Sequence, residues 1–272
     1  MLQKFHENTV NGNWTDIEVL YYDTLVSLVK KYSGHVKMET LIREYNKKFD
    51  KMKSKFLEYL SNVKPPWVEG ENQEKYLKKI HHYTSNFFNE IFESNNDDIQ
   101  VDDVMVLNFN YTNTFNDLNP YFPLNYTYKL NHIHGNIRDK NNVIFGFGDE
   151  LDKDYTLLES ERSGELFKHI KHLHYLQSKN YDRLNEFISD NKYEVFIVGH
   201  SCGISDRTIL NEIFENENCE SIRIFYHERK DLSNNKTELH TGIMKHFVKN
   251  KTRMRKKIKT FTDDDKMSQL MM

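Results

Sequence analysis

The spacing of apolar residues changes near residue 100, and this change constrains the fold more than any other feature of the chain. Before it, apolar residues recur at the 3.6-residue period of a helix, as in Trp14, Ile17, Tyr21, Leu25 and Leu28. After it, short apolar runs bounded by polar segments predict buried strands. These runs are VMVLNFN, YTYKLNHIHG, NVIFGFG, YEVFIVG and SIRIFYH. The chain is therefore predicted to begin with helices and to continue as an α/β region.

The first region, residues 1–98, is predicted to be helical. A second apolar stripe runs from Leu41 to Leu60, and a third runs from Tyr76 to Ile91. The segment NVKPPWVEGEN separates these two stripes, because consecutive prolines cannot continue a helix. The aromatic residues of the stripes are expected to form helix-packing core.

The second region, residues 99–260, alternates strands with helical segments. The pattern predicts one long amphipathic helix over LFKHIKHLHYLQSKNYDRLNEFI, a second over DRTILNEIF, and a third from Glu238 to about Val248. Such alternation predicts a mostly parallel, Rossmann-like sheet with helices on both faces. The last segment, residues 261–272, is predicted to be a disordered tail.

Charge and composition argue against several classes of protein. The net charge is −3, which does not favour nucleic acid as a partner, and the dense basic run KNKTRMRKKIK is expected to be a solvated helix face or a frayed tail. Two cysteines are too few for a disulfide framework or a zinc ribbon. No apolar run approaches the roughly 18 residues that span a bilayer, and MLQKFHENTV lacks the apolar core of a signal peptide. We expect a cytoplasmic protein without a membrane partner.

Polar residues follow three of the predicted strands. The first cluster runs from Asn108 to Thr112, the second from His132 to Gly135, and the third from Gly199 to Asp206. Ligands of parallel α/β sheets bind outside the carboxyl ends of the strands, so the three clusters are predicted to meet at one rim. Asn110 offers donors and an acceptor that suit a ribose diol, and His134 could take a proton near neutral pH.

The third cluster supports two interpretations. Gly199 and Gly203 would let backbone approach a phosphate at the partly positive start of the following helix. Alternatively, the run from Gly199 to Gly203, GHSCG, matches the G-x-S-x-G elbow of α/β-hydrolases, with Ser201 as nucleophile, Asp231 as acid, and His240 or His246 as base. Only one clear strand follows Ser201, whereas the usual hydrolase fold needs two. In either case, Ser205 or Asp206 is predicted to cap the helix.

The histidines do not form a recognisable metal motif. His132 and His134 alternate along a strand, His169 and His172 lie one helical turn apart, and no H-E-x-x-H spacing occurs. No metal is therefore expected.

Taken in order, the polar motifs resemble those of the abortive-infection AbiH family of bacterial phage-defence proteins. These motifs are F-N-Y-T at residues 109–112, H-x-H-G at 132–135 and the strand ending in G-H-S at 199–201. FGFGDE and LFKHIKHLHYLQSKNYDRLNEFI match as well, so the resemblance covers roughly residues 100–230, with a weaker match in the helices that begin at NWTDIE. AbiH is similar to sirtuin-like proteins, and the resemblance therefore implies a sirtuin-like α/β core after an N-terminal helical region.

The resemblance also implies a nucleotide site for NAD. In sirtuin-like proteins an Asn after a core strand contacts the nicotinamide ribose, and a His before a Gly acts as general base; these match Asn110 and His134. The implied binding residues are Asn110, Tyr111, Thr112, Gly135, Gly199, His200, Ser201, Ser205 and Asp206. One departure is that the family's early strand and G-N-G-F-D loop have no counterpart here beyond Asn11-Gly12-Asn13. The first phosphate-binding turn is therefore expected to be missing.

Three functions remain open from the sequence. The chain is an NAD-cleaving effector of abortive infection, a non-catalytic nucleotide-sensing or partner-binding defence module, or a serine hydrolase that uses Ser201. Whether it is an enzyme is left open, and NAD glycohydrolase-like chemistry is the expectation if it is. The partners considered are a nucleotide, a phage or defence-system protein, and a second copy of the chain.

Overall fold

The computed structural model describes residues 14–63, 103–118, 128–229 and 231–267. These residues divide into two compact units. Unit 1 contains the described residues up to Ser54 and those from Ile144 to Met267, and unit 2 contains those from Lys55 to Val143. The boundary predicted at residue 98 lies outside the described residues, as do the third helical stripe and the Asn11-Gly12-Asn13 segment.

The helices and strands alternate after residue 100, as the apolar pattern predicts. In chain order they are α1 (Trp14–Tyr32), α2 (Lys37–Asn62), β1 (Val104–Asn108), α3 (Thr114–Leu118), β2 (Tyr128–His132), α4 (Tyr155–Glu159), α5 (Lys171–Tyr175), α6 (Lys179–Asp190), β3 (Tyr193–Ile197), α7 (Arg207–Glu215), β4 (Cys219–Ile224), α8 (Lys236–Met244) and α9 (Lys251–Lys257). Single 3-10 turns cover Lys140–Asn142, Gly164–Phe167, Ile204–Asp206 and Asp263–Asp265.

In unit 1, α1 packs against the first part of α2 through aromatic side chains. The Tyr21 ring is fully buried, and its centroid lies 4.1 Å from that of Phe49. The Tyr21 hydroxyl donates a hydrogen bond of 2.7 Å to Asn46 Oδ1. The polar groups of Tyr21 and Asn46 are therefore hydrogen-bonded to each other within the buried apolar stripe. The prediction of helix-packing core is confirmed for these two helices.

The sheet of unit 1 pairs β3 with β4 in parallel, and α7 connects the two strands. The register shifts at a bulge between Tyr193 and Glu194. Beyond the last paired residues, the N–H of Phe225 donates to the carbonyl of Ile197 at 2.9 Å and extends the pairing. The strand–helix–strand order predicted from YEVFIVG, DRTILNEIF and SIRIFYH is confirmed.

Residues 258–267 occupy the other side of β4 and the residues that follow it. The N–H of Lys259 donates to the carbonyl of Ile222 at 2.9 Å. The N–H of Tyr226 donates to the carbonyl of Asp265 at 2.9 Å, and its own carbonyl accepts from the N–H of Met267 at 2.8 Å. The buried Asp265 carboxylate also pairs with the Arg223 guanidinium. The strand is thus bordered on both sides.

The long helix predicted from Leu166 to Ile188 is wrong. Residues 164–190 instead form a 3-10 turn and two separate helices, α5 and α6. Ile170 is extended and bridges to Phe147, which ends the first helical turn. Ser178 begins α6, because its side chain accepts the N–H of Asn180 at 3.2 Å.

The strand predicted over NVIFGFG is also wrong. The N–H of Gly146 donates to the carboxylate of Glu18 at 3.0 Å instead of to a neighbouring strand. Phe147 makes an isolated bridge with Ile170. The segment is nevertheless buried, and burial explains its strand-like apolar composition.

The described part of unit 2 contains the parallel pair β1 and β2. The register aligns Val104 with Tyr128 and Asn108 with His132, so the carboxyl ends of the strands are level. The molecule therefore has the mixed α/β architecture, parallel pairing and N-terminal helices that were predicted. A single Rossmann-like sheet of sirtuin type stays a prediction, since the described strands form two separate pairs.

Candidate functional site

Asparagine and histidine side chains gather where β1 and β2 end. Asn108 and His132 are aligned in the register, and Asn108 Nδ2 lies 3.4 Å from His132 Nδ1. Asn108 Oδ1 accepts the N–H of Asn110 at 2.9 Å, which turns the chain directly after the strand. This turn leaves the Asn110 side chain exposed at the strand end.

His132 lies at the centre of this cluster. Its Nε2 is 3.2 Å from Asn116 Oδ1 and 3.4 Å from Asn136 Nδ2. Asn136 Nδ2 also donates to Asn113 Oδ1. Burial lowers the pKa of His132, so its ring is neutral at pH 7 and has one donor and one acceptor nitrogen. Asn108, Asn110, Asn113, Asn116, His132 and Asn136 form what we call the strand-end cluster.

His134 lies in an aromatic environment rather than in solvent. The residue is only 3% exposed. The ring meets Phe109 edge to face at a centroid distance of 5.4 Å and stacks on Tyr111 at 5.9 Å. The predicted base is therefore buried against the rings of Phe109 and Tyr111.

Gly135 and the neighbouring predicted residues shape the turn after β2. Gly135 has φ +78°, and a Cβ at this position would overlap the carbonyl oxygen of Asn142. The N–H of Ile137 donates to the carbonyl of Tyr111 at 2.9 Å, which joins the turns that follow the two strands. The Thr112 hydroxyl is 3.0 Å from that of Thr114. The predicted residues of the first two clusters are thus brought together in unit 2.

The third predicted cluster lies in unit 1, directly after β3. Gly199 has φ +68° and Cys202 has φ 52°, so the segment 199–206 is a tight turn with two left-handed positions. His200 Nδ1 accepts the N–H of Cys202 at 3.0 Å, which fixes the turn and leaves Ser201 exposed. The chain then enters the 3-10 turn Ile204–Asp206 and α7.

A buried charge network lies under this turn. Lys171 Nζ donates to Glu18 Oε2 at 3.0 Å and to Asp206 Oδ1 at 2.7 Å, and each of the three residues is at most 6% exposed. His200 Nε2 is 3.6 Å from Asp206 Oδ2. The network connects α1, α5 and the 199–206 turn.

The charges in the network perturb one another. Burial raises the pKa of Glu18 to about 6, although Lys171 opposes this shift. Burial alone would lower the pKa of Lys171, but the carboxylates of Asp206 and Glu18 raise it above its usual value. Lys171 is therefore charged at neutral pH, and through Asp206 it binds the end of the 3-10 turn, directly before α7.

The predicted caps of α7 are wrong. The carboxylate of Asp206 binds Lys171 and makes no capping hydrogen bond. Ser205 is fully buried, and its Oγ has no hydrogen-bond partner within the described residues. The reason is that Lys171 competes with the helix backbone for the acidic side chain, and a fully charged donor is the stronger partner.

The hydrolase arrangement is not supported in the described residues. Within the 199–206 turn the positive φ angles lie at Gly199 and Cys202, and Ser201 has none. The proposed acid, Asp231, instead accepts hydrogen bonds from the backbone N–H and hydroxyl of Ser233 at 3.0 and 2.6 Å. His246 Nε2 lies 2.8 Å from the carbonyl of Cys202 and is committed to that group. No acid–histidine–serine relay is therefore formed among these residues.

Comparison with known protein families shows to which family the chain is related. The model of the family described as "Bacteriophage abortive infection AbiH" matches residues 1–228 of the 272 residues. The chain belongs to the AbiH family. No curated protein and no solved structure matches it. The matched range contains all three polar clusters of this AbiH chain, whereas α8 and α9 follow it.

Sequence reasoning missed the charged residues beneath the 199–206 turn of this AbiH protein. Glu18 and Lys171 lie in segments predicted as helices with one solvated face, yet each is buried in unit 1. The available signal was Lys171 itself, a lysine directly after an apolar Ile170 in a segment predicted to be amphipathic. A lysine there needs acidic partners if it is buried.

The described part of this AbiH chain shows neither a metal cluster nor a membrane span. It contains no group of three or more His, Cys, Asp or Glu residues arranged to hold a metal ion. Within the same residues, no helix has both the length and the apolar character that crossing a membrane requires.

Proposed function

We propose that this AbiH-family protein acts in phage defence through a nucleotide of NAD type bound at the strand-end cluster. The AbiH family is one of bacteriophage abortive infection. The observation that carries the proposal is the gathering of Asn108, Asn110, His132 and Asn136 at the level ends of β1 and β2. Ligands of parallel strands bind at such ends.

The chemistry of the cluster suits a sugar. An exposed Asn110 side chain can donate to one hydroxyl and accept from its neighbour, which is the pattern of a ribose diol. A neutral His132 adds one donor and one acceptor. Phe109 and Tyr111 border the cluster and offer apolar surface to a flat ring. Few polar groups beside aromatic surface are typical of small-molecule sites.

The 199–206 turn of unit 1 is a second candidate contact. We propose that it contacts a phosphate or a second sugar through Ser201 and the backbone near Gly203. Ser201 is exposed, and the buried Ser205 hydroxyl has no partner among the described residues. The carboxylate of Asp206 at the same turn repels a phosphate and so opposes this contact. Its pairing with Lys171 offsets that repulsion.

Cleavage of NAD is the catalytic version of the proposal. Water would add to C1′ of the nicotinamide ribose while the carbon–nitrogen bond to nicotinamide breaks, and the products would be ADP-ribose, nicotinamide and a proton. Asn110 would orient the ribose, and His134 would take the proton that the attacking water loses as it adds to C1′ and would then release it to solvent. Because His134 is 3% exposed, this step requires that a bound ligand displace the Tyr111 or Phe109 ring from the approach to it.

Titration calorimetry of the full chain with NAD tests the binding proposal. Asn110→Ala removes an exposed amide whose side chain makes no hydrogen bond with a residue that the structure describes, so the fold should survive. We expect at least a tenfold loss of affinity. Asn141→Ala is the matched control, since it removes an exposed amide from the same unit. Equal affinities of wild type and Asn110→Ala for NAD would show that the strand-end cluster is not the binding site.

A product assay separates the catalytic and sensing versions. Nicotinamide release by wild type that is lost in His134→Gln, with binding retained, supports cleavage. Binding without release supports nucleotide sensing. For the turn, Ser201→Ala should weaken binding of inorganic phosphate, which tests the turn by itself. Phage plating on cells that carry Asn110→Ala then tests whether nucleotide binding is needed for defence.

A further inference from the structure

The segment from Met244 to Thr260 has a charge unlike that of the rest of the chain. It contains eight of the 38 Lys and Arg residues and none of the 41 Asp and Glu residues, in a chain whose net charge is −3. α9 lies within it, so of the two predicted states, a solvated helix face or a frayed tail, the helix is observed, followed by chain that borders β4. The positive charge is therefore held on a folded surface.

Some of these cations serve the fold, and others do not. Lys257 is buried and donates to the carbonyls of Phe214 and Asn216 at 2.8 and 2.7 Å, where α7 ends. Arg253 pairs with Glu217 at 3.4 Å. Lys245 and Lys256 are exposed, and neither forms an ion pair with a residue that the structure describes. The uncommitted charges are available to a partner.

An open groove of about 600 Å³ lies at the start of this basic segment. The residues that line it include Arg207, Met244, Lys245, Phe247, Val248 and Lys251. Met244 is 48% exposed and Val248 is 52% exposed, so the groove presents aliphatic surface to solvent. Lys245 and Lys251 contribute cations to its lining, and Lys251 Nζ donates to the carbonyl of Met244 at 2.6 Å. The groove therefore combines apolar surface with positive charge.

We propose that this groove docks an acidic polypeptide segment that inserts an apolar side chain. Among the described residues, every charged side chain that lines the groove is cationic. Charge complementarity therefore favours acidic residues in the partner. The exposed Met244 and Val248 select an aliphatic or aromatic anchor, because covering them removes apolar surface from water. This combination does not suit a nucleic acid. Phosphates need no apolar surface, and the aromatic residue of the groove, Phe247, is 2% exposed and cannot stack with a base.

The neighbouring contacts give the groove a defined shape. Arg207 Nε and Nη2 donate to the carbonyl of Lys245 at 3.0 and 2.8 Å, and Arg207 Nη1 pairs with Asp149 at 2.8 Å. Asn211 Nδ2 donates to the carbonyl of His246 at 2.5 Å. These bonds fasten residues 245 and 246 to α7, so a docking segment meets a preformed surface and not a loose loop.

Fluorescence anisotropy on the full chain tests the proposal. The probe is a short labelled peptide of Asp and Glu that contains two Leu residues one helical turn apart. We expect saturable binding that weakens at least tenfold in Lys245→Glu and in Val248→Asp, and that weakens with added salt. Lys256→Glu makes the same charge change in the same basic segment, outside the groove lining, and should lower affinity less than threefold. Circular dichroism establishes that the variants are folded.

Three results would overturn the proposal. The first is equal binding of a peptide in which Ser replaces both Leu residues, because the apolar surface would then play no part. The second is an equal loss of affinity in Lys256→Glu and Lys245→Glu, which would indicate charge attraction without a groove. The third is tighter binding of a single-stranded or duplex oligonucleotide than of the peptide. Failure of these tests leaves the nucleotide proposal untouched, since Lys245 and Val248 are not part of the strand-end cluster or the 199–206 turn.

Discussion

Replacement of Lys171 by methionine tests the importance of the buried charge network. The two side chains have similar length, so methionine would fill most of the same space, and the change removes mainly the charge and its hydrogen bonds. Lys171 Nζ binds Glu18 and Asp206 at 3.0 and 2.7 Å, and the lysine side chain is 1% exposed. Without it, two carboxylates remain buried beside each other and lose the cation that they share.

The expected loss follows from the burial of the partners. Removal of one member of a buried, hydrogen-bonded ion pair costs roughly 3–5 kcal/mol, because the charge left behind is desolvated and uncompensated. Lys168→Met is the matched control. Lys168 Nζ binds Asp50 Oδ2 at 2.7 Å, but the two side chains are 44% and 41% exposed. An exposed pair of this kind contributes about 0–1 kcal/mol.

Urea unfolding followed by circular dichroism measures the difference. With a slope of about 3 kcal/mol per M, a loss of about 3 kcal/mol lowers the midpoint of Lys171→Met by about 1 M, whereas Lys168→Met should lie within about 0.3 M of wild type. A difference of less than about 1 kcal/mol between the two variants would refute the reasoning. It would mean that water or rearranged side chains replace Lys171 at little cost.

Three other predictions concern backbone strain, thiol reactivity and pH. Gly135→Ala should lower the melting temperature more than Gly34→Ala, because both glycines have positive φ but only at Gly135 would a Cβ overlap backbone; equal shifts would contradict this. Burial raises the pKa of the thiols of Cys202 and Cys219 to about 12 and about 11, so the native protein should react with a thiol reagent at about pH 8 only on unfolding, and rapid labelling would count against the burial. The folded pKa of Glu18, about 6, exceeds the ordinary value of 4.5, so folding binds its proton more tightly. The free energy of unfolding of wild type, relative to Glu18→Gln, should therefore fall by up to about 2 kcal/mol as pH rises from 4.5 to 6, and a flat difference would oppose it.

The strands were predictable because local apolar runs determine them. Short apolar runs between polar breaks suffice to identify β1 and β3, and the residues after each strand could be named in advance. The level ends of β1 and β2 follow from parallel pairing and bring Asn110 near His132. Local sequence therefore predicted Asn108, Asn110 and His132 at the strand ends. It did not predict Asn113, Asn116 or Asn136, which join them through contacts made in the fold.

The parts that were not predicted depend on contacts between distant residues. Lys171 lies 153 positions from Glu18 and 35 positions from Asp206, and no periodic pattern connects them. The same holds for Ile170, whose bridge to Phe147 interrupts a segment with an otherwise helical apolar stripe. The composition of NVIFGFG correctly indicated that it is buried. Its backbone partners, which decide between strand and loop, lie on α1 and near α5, so the segment alone could not identify them.

The chain after α9 also affects how the molecule can meet other proteins. Because Lys259, Asp265 and Met267 bond to backbone groups of Ile222 and Tyr226, they occupy part of the ladder on this side of β4 to which a foreign strand could add. A protein cut before Ile258 would lose this covering and expose such a ladder. Self-association of that shortened form, seen as a concentration-dependent increase in mass by light scattering, is the expected consequence. Residues 258–267 are thus expected to hinder strand exchange at this side of β4.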